Sequence, residues 1–144
     1  LDAQRLMRSF QVNSIGPALL LKHFLPLLCP GRAIYAKLSA RVGSIADNYK
    51  GGWYGYRASK AALNMFLQTA AIEWTRKNPN IVIAALQPGT VQSALSTPFV
   101  NQDNALTPQE SVMGLLQALD SLGSEDTGHK GAYFIDYKGQ SIPW

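Results

Sequence analysis

The chain has 144 residues, 47% hydrophobic and 15% charged, with a net charge of +4, which reads as one globular domain carrying surplus apolar surface, an oligomer or a piece of something larger. Its 13 Lys and Arg are scattered without a basic run, which argues against nucleic acid, and no span approaches the ~18 apolar residues of a membrane helix. The single cysteine, Cys29, excludes an internal disulfide framework and fits a reducing cytoplasm.

From Leu1 to Leu28 apolar residues recur at helical spacing: Leu6 and Phe10 share a line with Asn13 and Pro17, and Leu20, Leu21, Phe24 and Leu28 continue the pattern. The spacing predicts a helix disturbed at Gly16-Pro17 and ended by Pro30-Gly31, with Cys29 packed inside. Residues 32–38 (RAIYAKL) read as a strand, and the Gly-, Ser-, Asn- and Asp-rich residues 39–54 as a loop at its carboxyl end. Residues 55–77 predict a second helix, apolar on so many faces that it must be covered on several sides. The unbroken apolar run 81–86 (IVIAAL) marks a central parallel strand covered on both faces. After Pro88-Gly89 comes a long loop to about residue 104. Thr107-Pro108-Gln109-Glu110 then starts a helix, with Thr107 as N-cap and Glu110 in capping-box position. Residues 123–130 read as a loop and 131–136 as a last strand. The pattern is α/β, with three parallel strands joined by crossover helices.

Ligands of open α/β sheets bind beyond the carboxyl ends of the strands. Ser39 or Ser44, Tyr56 with Lys60, and residues 88–93 all point there. Tyr56 and Lys60 are four apart on a helix, so they share a face, with Cβ atoms about 5–6 Å apart. Of six tyrosines, only Tyr56 has a lysine four residues on. A phenol of ordinary pKa ~10 is a poor base at neutral pH. A nearby ammonium is expected to lower that value and make a general acid/base suited to carbonyl and alcohol chemistry. The plain alternative is a half-buried tyrosine beside a solvated lysine. Pro17 has no N–H, so the carbonyl of Asn13 loses its helical partner; a simple kink is the alternative there.

Taken together these motifs resemble the short-chain dehydrogenase/reductase family across nearly the whole chain. Tyr56-Arg57-Ala58-Ser59-Lys60 matches its Y-x-A-S-K, Val12-Asn13 its helix asparagine, Leu38-Ser39 its strand-end serine, and residues 88–93 (PGTVQS) its P-G-x-V-x-T. Residues 38–45 and the ending Ile142-Pro143-Trp144 are most similar to a bacterial, C-factor-like subgroup. The resemblance implies a Rossmann-type doubly wound parallel sheet and an NAD- or NADP-dependent oxidoreductase that interconverts a carbonyl and a secondary alcohol. Tyr56 would be its acid/base. Lys60 would lower the pKa of Tyr56 and hold the nicotinamide ribose. The Asn13 carbonyl would hold a relay water, and Pro88, Gly89, Val91 and Ser93 would line the nicotinamide site. A non-catalytic signalling or scaffold protein on the same fold is the alternative.

The family's serine is the second of two after the strand, and that position here is Ala40. Ser39 is the favoured substitute; because strand side chains alternate, Ser39 could face away, and then Ser44 or no serine would serve. No glycine-rich dinucleotide turn such as G-x-x-x-G-x-G occurs in the chain. The resemblance therefore implies the C-terminal, catalytic part (1–144) of a longer fold, which alone would bind dinucleotide weakly and be inactive. The two long helices are expected to join subunits of a homodimer or homotetramer. His23 and His129 lack a second ligand at metal spacing, so no metal site is expected. Trp53 and Tyr54 read equally as pocket wall or packing, residues 95–100 as a lid, and Trp74 and Trp144 as packing.

Overall fold

A computed structural model describes residues 1–94, 96–98, 101–123 and 131–144; of Gln102 only the backbone is described. Strands β1 (Ala33–Leu38), β2 (Ile81–Gln87) and β3 (Tyr133–Asp136) form one parallel sheet in the order β1-β2-β3. Helix α3 (Tyr54–Thr75) connects β1 to β2, and α4 (Pro108–Ser121) lies between β2 and β3 in sequence. Before them run α1 (Ala3–Phe10) and α2 (Gly16–Phe24). The expected α/β architecture of three parallel strands is the observed one.

The apolar run of β2 is explained by burial on both sides. Ile81, Ile83 and Ala85 meet Leu63, Leu67 and Ala71 of α3 in one core, which also holds Leu21, Leu25 and Phe134. Ala84 and Leu86 meet Leu115 and Ala118 of α4 in a second core with Ile135. Alternation along the strand sends successive side chains to opposite layers, so a two-faced strand must be apolar throughout. The predicted capping box is present: the Thr107 hydroxyl accepts from the Glu110 N–H, and the Glu110 carboxylate accepts from the Thr107 N–H.

Several expectations need correction. The first helix is disturbed before Gly16-Pro17 rather than at it: residues Gln11–Ile15 form a π-helical turn, in which the Gly16 N–H reaches back to the Gln11 carbonyl. A proline acts on the carbonyl four residues earlier, so the defect spreads upstream. Cys29 is exposed, not packed. The helix ends in a 3₁₀ turn, Leu25–Leu27, and Leu28 is already extended, so Cys29 loses the register that buries Leu25. Helix α3 is covered on several sides, by β2, by the π-helical turn and by the turn Arg41–Gly43, while Met65 (65% exposed), Phe66 and Ile72 stand outward. Trp74 packs against the first core, whereas Trp144 stacks on Phe134 at 5.2 Å and stays half-exposed. His129, most of the loop 123–130, and Leu95, Phe99 and Val100 of the expected lid lie outside the described residues. Among the described residues no cluster could hold a metal ion, and no helix is long and apolar enough to cross a membrane.

Candidate active site

Leu38 of β1 pairs with Leu86 of β2, so the carboxyl ends of the two strands lie side by side. The chain leaves β1 through Ser39 and Ala40, makes a 3₁₀ turn (Arg41–Gly43), loops out, and returns as α3. Tyr56 lies in the first turn of α3 and Lys60 one turn on. The Lys60 Nζ is 5.9 Å from the centroid of the Tyr56 ring and donates to the Leu38 carbonyl at 3.0 Å. One lysine thus ties the helix to the strand end while flanking the phenol.

The electrostatics differ from the sequence expectation. Burial pushes the Tyr56 phenol above its ordinary pKa and pulls the Lys60 ammonium below its own. Desolvation penalises each charged form, and the ammonium is turned to the Leu38 carbonyl. The phenol, protonated at neutral pH even at its ordinary pKa of ~10, becomes harder still to ionise.

Asn13 meets α3 just before Lys60. Its amide Nδ2 donates to the Ser59 hydroxyl at 3.1 Å, and that hydroxyl donates to the Tyr56 carbonyl at 2.9 Å. Ser14, fully buried, donates to the Ser59 carbonyl at 2.6 Å. The π-helical turn aims these two consecutive side chains at one residue of α3. Asn13 is thereby brought to the Tyr56–Lys60 segment through Ser59.

Neither serine turns to the phenol. The Ser39 hydroxyl, buried, donates to Asn64 Oδ1 at 2.6 Å. Asn64 is eight residues beyond Tyr56, about 12 Å along the helix axis. Alternation at the strand end sends Ser39 toward the core, as the sequence left open, and Ala40 holds the position between Ser39 and the 3₁₀ turn. The Ser44 hydroxyl is buried too and accepts from the Asp47 N–H.

After β2, Gly89 adopts φ +80°, and a Cβ there would come within 2.6 Å of the Leu106 side chain. Val91 bridges to Leu106: the Leu106 N–H donates to Thr90 and the Gln92 N–H to the Leu106 carbonyl. The buried Ser111 of α4 donates to the Pro88 carbonyl at 2.6 Å. Ser93 lies in a tight turn with Ser96, whose hydroxyl donates to the Val91 carbonyl at 2.6 Å. Asn64 and Ser111 escaped sequence reasoning, because their partners lie 25 and 23 residues away and no local spacing marks them. A groove of about 610 Å³ runs between the loop after β1 and α3, lined by Val42, Ile45, Asn48, Tyr54, Arg57 and Ala61 among others. Tyr54 is therefore a groove wall; Trp53 is not among the lining residues.

A family model described as short chain dehydrogenase matches residues 1–104. The chain belongs to that family. C-signal of Myxococcus xanthus is 36% identical over 145 residues, covering 99% of this chain and 81% of that protein. The 1-hydroxy-2-glutathionyl-2-methyl-3-butene dehydrogenase of Rhodococcus sp. (strain AD45) is 31% identical over 140 residues, covering 95% of this chain and 61% of that enzyme. Among solved structures, the carbonyl reductase Sniffer of D. melanogaster superposes with a TM-score of 0.85 at 28% identity. The NADPH-bound carbonyl reductase from chicken fatty liver does so with 0.82 at 29%. Each superposition covers all of this chain and 59% of the other. In this family member, Tyr56 and Lys60 stand at the carboxyl end of β1, beside the end of β2 from which the Pro88 turn departs; Asn13 reaches their segment through Ser59, and the Ser39 hydroxyl is turned to Asn64.

Proposed function

We propose that the full-length protein is an NAD(P)-dependent oxidoreductase that interconverts a carbonyl and a secondary alcohol by hydride transfer. The observation that carries this reading is the placement of Tyr56 and Lys60 on one face of α3, with the Lys60 Nζ 5.9 Å from the phenol ring and bonded to the end of β1. The nicotinamide cofactor, NAD or NADP, would supply or accept the hydride. The residues present fit such a group. An ammonium has three donors, of which the Leu38 carbonyl takes one, so Lys60 retains capacity to hold ribose hydroxyls. Pro88, Gly89, Val91 and Ser93 follow β2, whose carboxyl end lies beside that of β1, and would line the nicotinamide.

Tyr56 protonates the carbonyl oxygen in reduction and takes the alcohol proton in the reverse direction. A phenol whose ionisation burial disfavours stays in the protonated form that reduction needs. Asn13, whose carbonyl receives no N–H from Pro17, relays protons toward Lys60 through water. Ser39 serves the site indirectly, by holding Asn64. The reading assigns residues 1–144 to the catalytic part of the fold, and the exposed apolar side chains of α2 and α3 to contacts between subunits of a homo-oligomer. The test is Tyr56→Phe in the full-length protein, with carbonyl reduction followed by nicotinamide absorbance. The rate should drop by roughly 10²–10⁴ while the fold survives. Undiminished turnover would sink the assignment.

A second reading, a signalling or scaffold protein without turnover, is favoured by Ala40 at the family's serine position and by the similarity to C-signal. Under it, Tyr56→Phe leaves the biological activity intact.

A further inference from the structure

Three consecutive residues before α3 take left-handed backbone conformations: Gly51 (φ +64°), Gly52 (φ +70°) and Trp53 (φ +48°). Glycine does this freely, but a tryptophan does so only where its surroundings enforce it. Trp53 is the single non-glycine residue with positive φ among the described residues, and it caps α3 without a side-chain hydrogen bond. What encloses this turn is Arg57. Its Nε donates to the Gly51 and Gly52 carbonyls, both at 3.1 Å, and its Nη1 donates to the Val42 carbonyl at 3.4 Å. Its Cζ lies 5.7 Å from the centroid of the Trp53 ring. A planar, forked cation can serve several carbonyls and stack on a ring at once; a lysine presents one point charge.

The fork reaches both ends of the loop after β1. Val42 belongs to the turn that packs on the backbone of Lys60, and Gly51 to Trp53 lead directly into Tyr56. We propose that Arg57 is a positioning residue: by clamping Val42 and the 51–53 turn to the first turn of α3, it fixes where the Tyr56–Lys60 face of that helix stands relative to the loop after β1. The clamp rests on geometry alone; its catalytic consequence rests on the oxidoreductase reading above. Arg57 itself touches no reacting atom.

The test compares Arg57→Met and Arg57→Lys with the parent in the full-length protein, using hydrogen exchange read by mass spectrometry. In Arg57→Met, residues 41–57 should exchange more than roughly tenfold faster, since hydrogen bonds from a charged donor are each worth about that factor or more. Strand β2 and helix α4 should be unchanged, and Arg57→Lys should fall between. A second readout is the Tyr56 phenol, isolated as the ultraviolet titration difference against Tyr56→Phe. It should move down toward the ordinary ~10 as water enters the loosened loop. If the parent reduces carbonyls, kcat should fall about 10- to 100-fold with little change in KM. Unchanged exchange at 41–57, loosening spread equally over β2 and α4, or an unmoved phenol overturns the clamp. If the parent reduces no carbonyl, the oxidoreductase reading fails alone, and exchange and titration still decide the role of Arg57.

Discussion

Gly43 lies so close to Lys60 that a Cβ built on it would come within 2.9 Å of both the carbonyl carbon and the Cβ of Lys60. The neighbour is helix backbone, which cannot swing aside as a flexible side chain would. Gly43→Ala should therefore displace either the turn or the helix, at a cost of about 1–3 kcal/mol typical of overpacking. Lys60 moves with its backbone, so carbonyl reduction should fall as well. Denaturant melts and initial rates check both effects; a neutral substitution would mean that the close approach does not matter.

The two titrating groups of the site predict opposite slopes of stability in alkali. Tyr56 has its folded pKa raised by burial, so its contribution is intact below the unfolded value of ~10 and is lost as pH rises through the folded one. Lys60 has its folded pKa lowered by burial, so its contribution is present above the unfolded value near ~10.4 and is lost as pH falls through the folded one. Melting curves between neutral pH and strong alkali should show Tyr56→Phe removing a falling component and Lys60→Met a rising one. The same slopes in parent and variants would refute the burial argument.

Serine substitutions separate structure from chemistry. Ser39→Ala leaves the buried Asn64 Oδ1 without its donor, and the Asn64 amide nitrogen already lacks a partner among the described residues. A loss of about 1–3 kcal/mol in stability is expected, with little change in kcat at temperatures where the variant stays folded. Ala40→Ser should raise the reduction rate by restoring a hydroxyl where the family carries one. A kcat collapse in Ser39→Ala together with an inert Ala40→Ser would return Ser39 to the catalytic set.

The turn after β2 offers a test of cofactor contact. Gly89→Ala combines a left-handed φ, worth about 1–2 kcal/mol against an L residue, with a 2.6 Å approach to the Leu106 side chain. Nicotinamide dinucleotide binding should weaken while α4 keeps its capping box. Fluorescence titration of NADH and NADPH measures this, and unchanged affinity for both would remove Gly89 from the site.

What was legible in the sequence was local. The apolar run of β2 announced a strand covered on both faces, Thr107 and Glu110 announced a capping box, and the spacing of Tyr56 and Lys60 placed them on one helical face. Each depends on residues within a turn or a strand of one another, and backbone periodicity alone determines such relations. Periodicity fails where local geometry breaks. The apolar neighbours of Cys29 predict it packed, but the 3₁₀ turn before it rotates it outward. The partners of the site were decided only by the tertiary structure. Lys60 finds the Leu38 carbonyl 22 residues away, Ser39 finds Asn64 across 25, and Asn13 finds Ser59 across 46. Those pairings follow from how β1 registers against β2 and how the π-helical turn meets α3. Burial then reversed the expected direction for Tyr56, because desolvation is a property of the packed site and of no residue spacing.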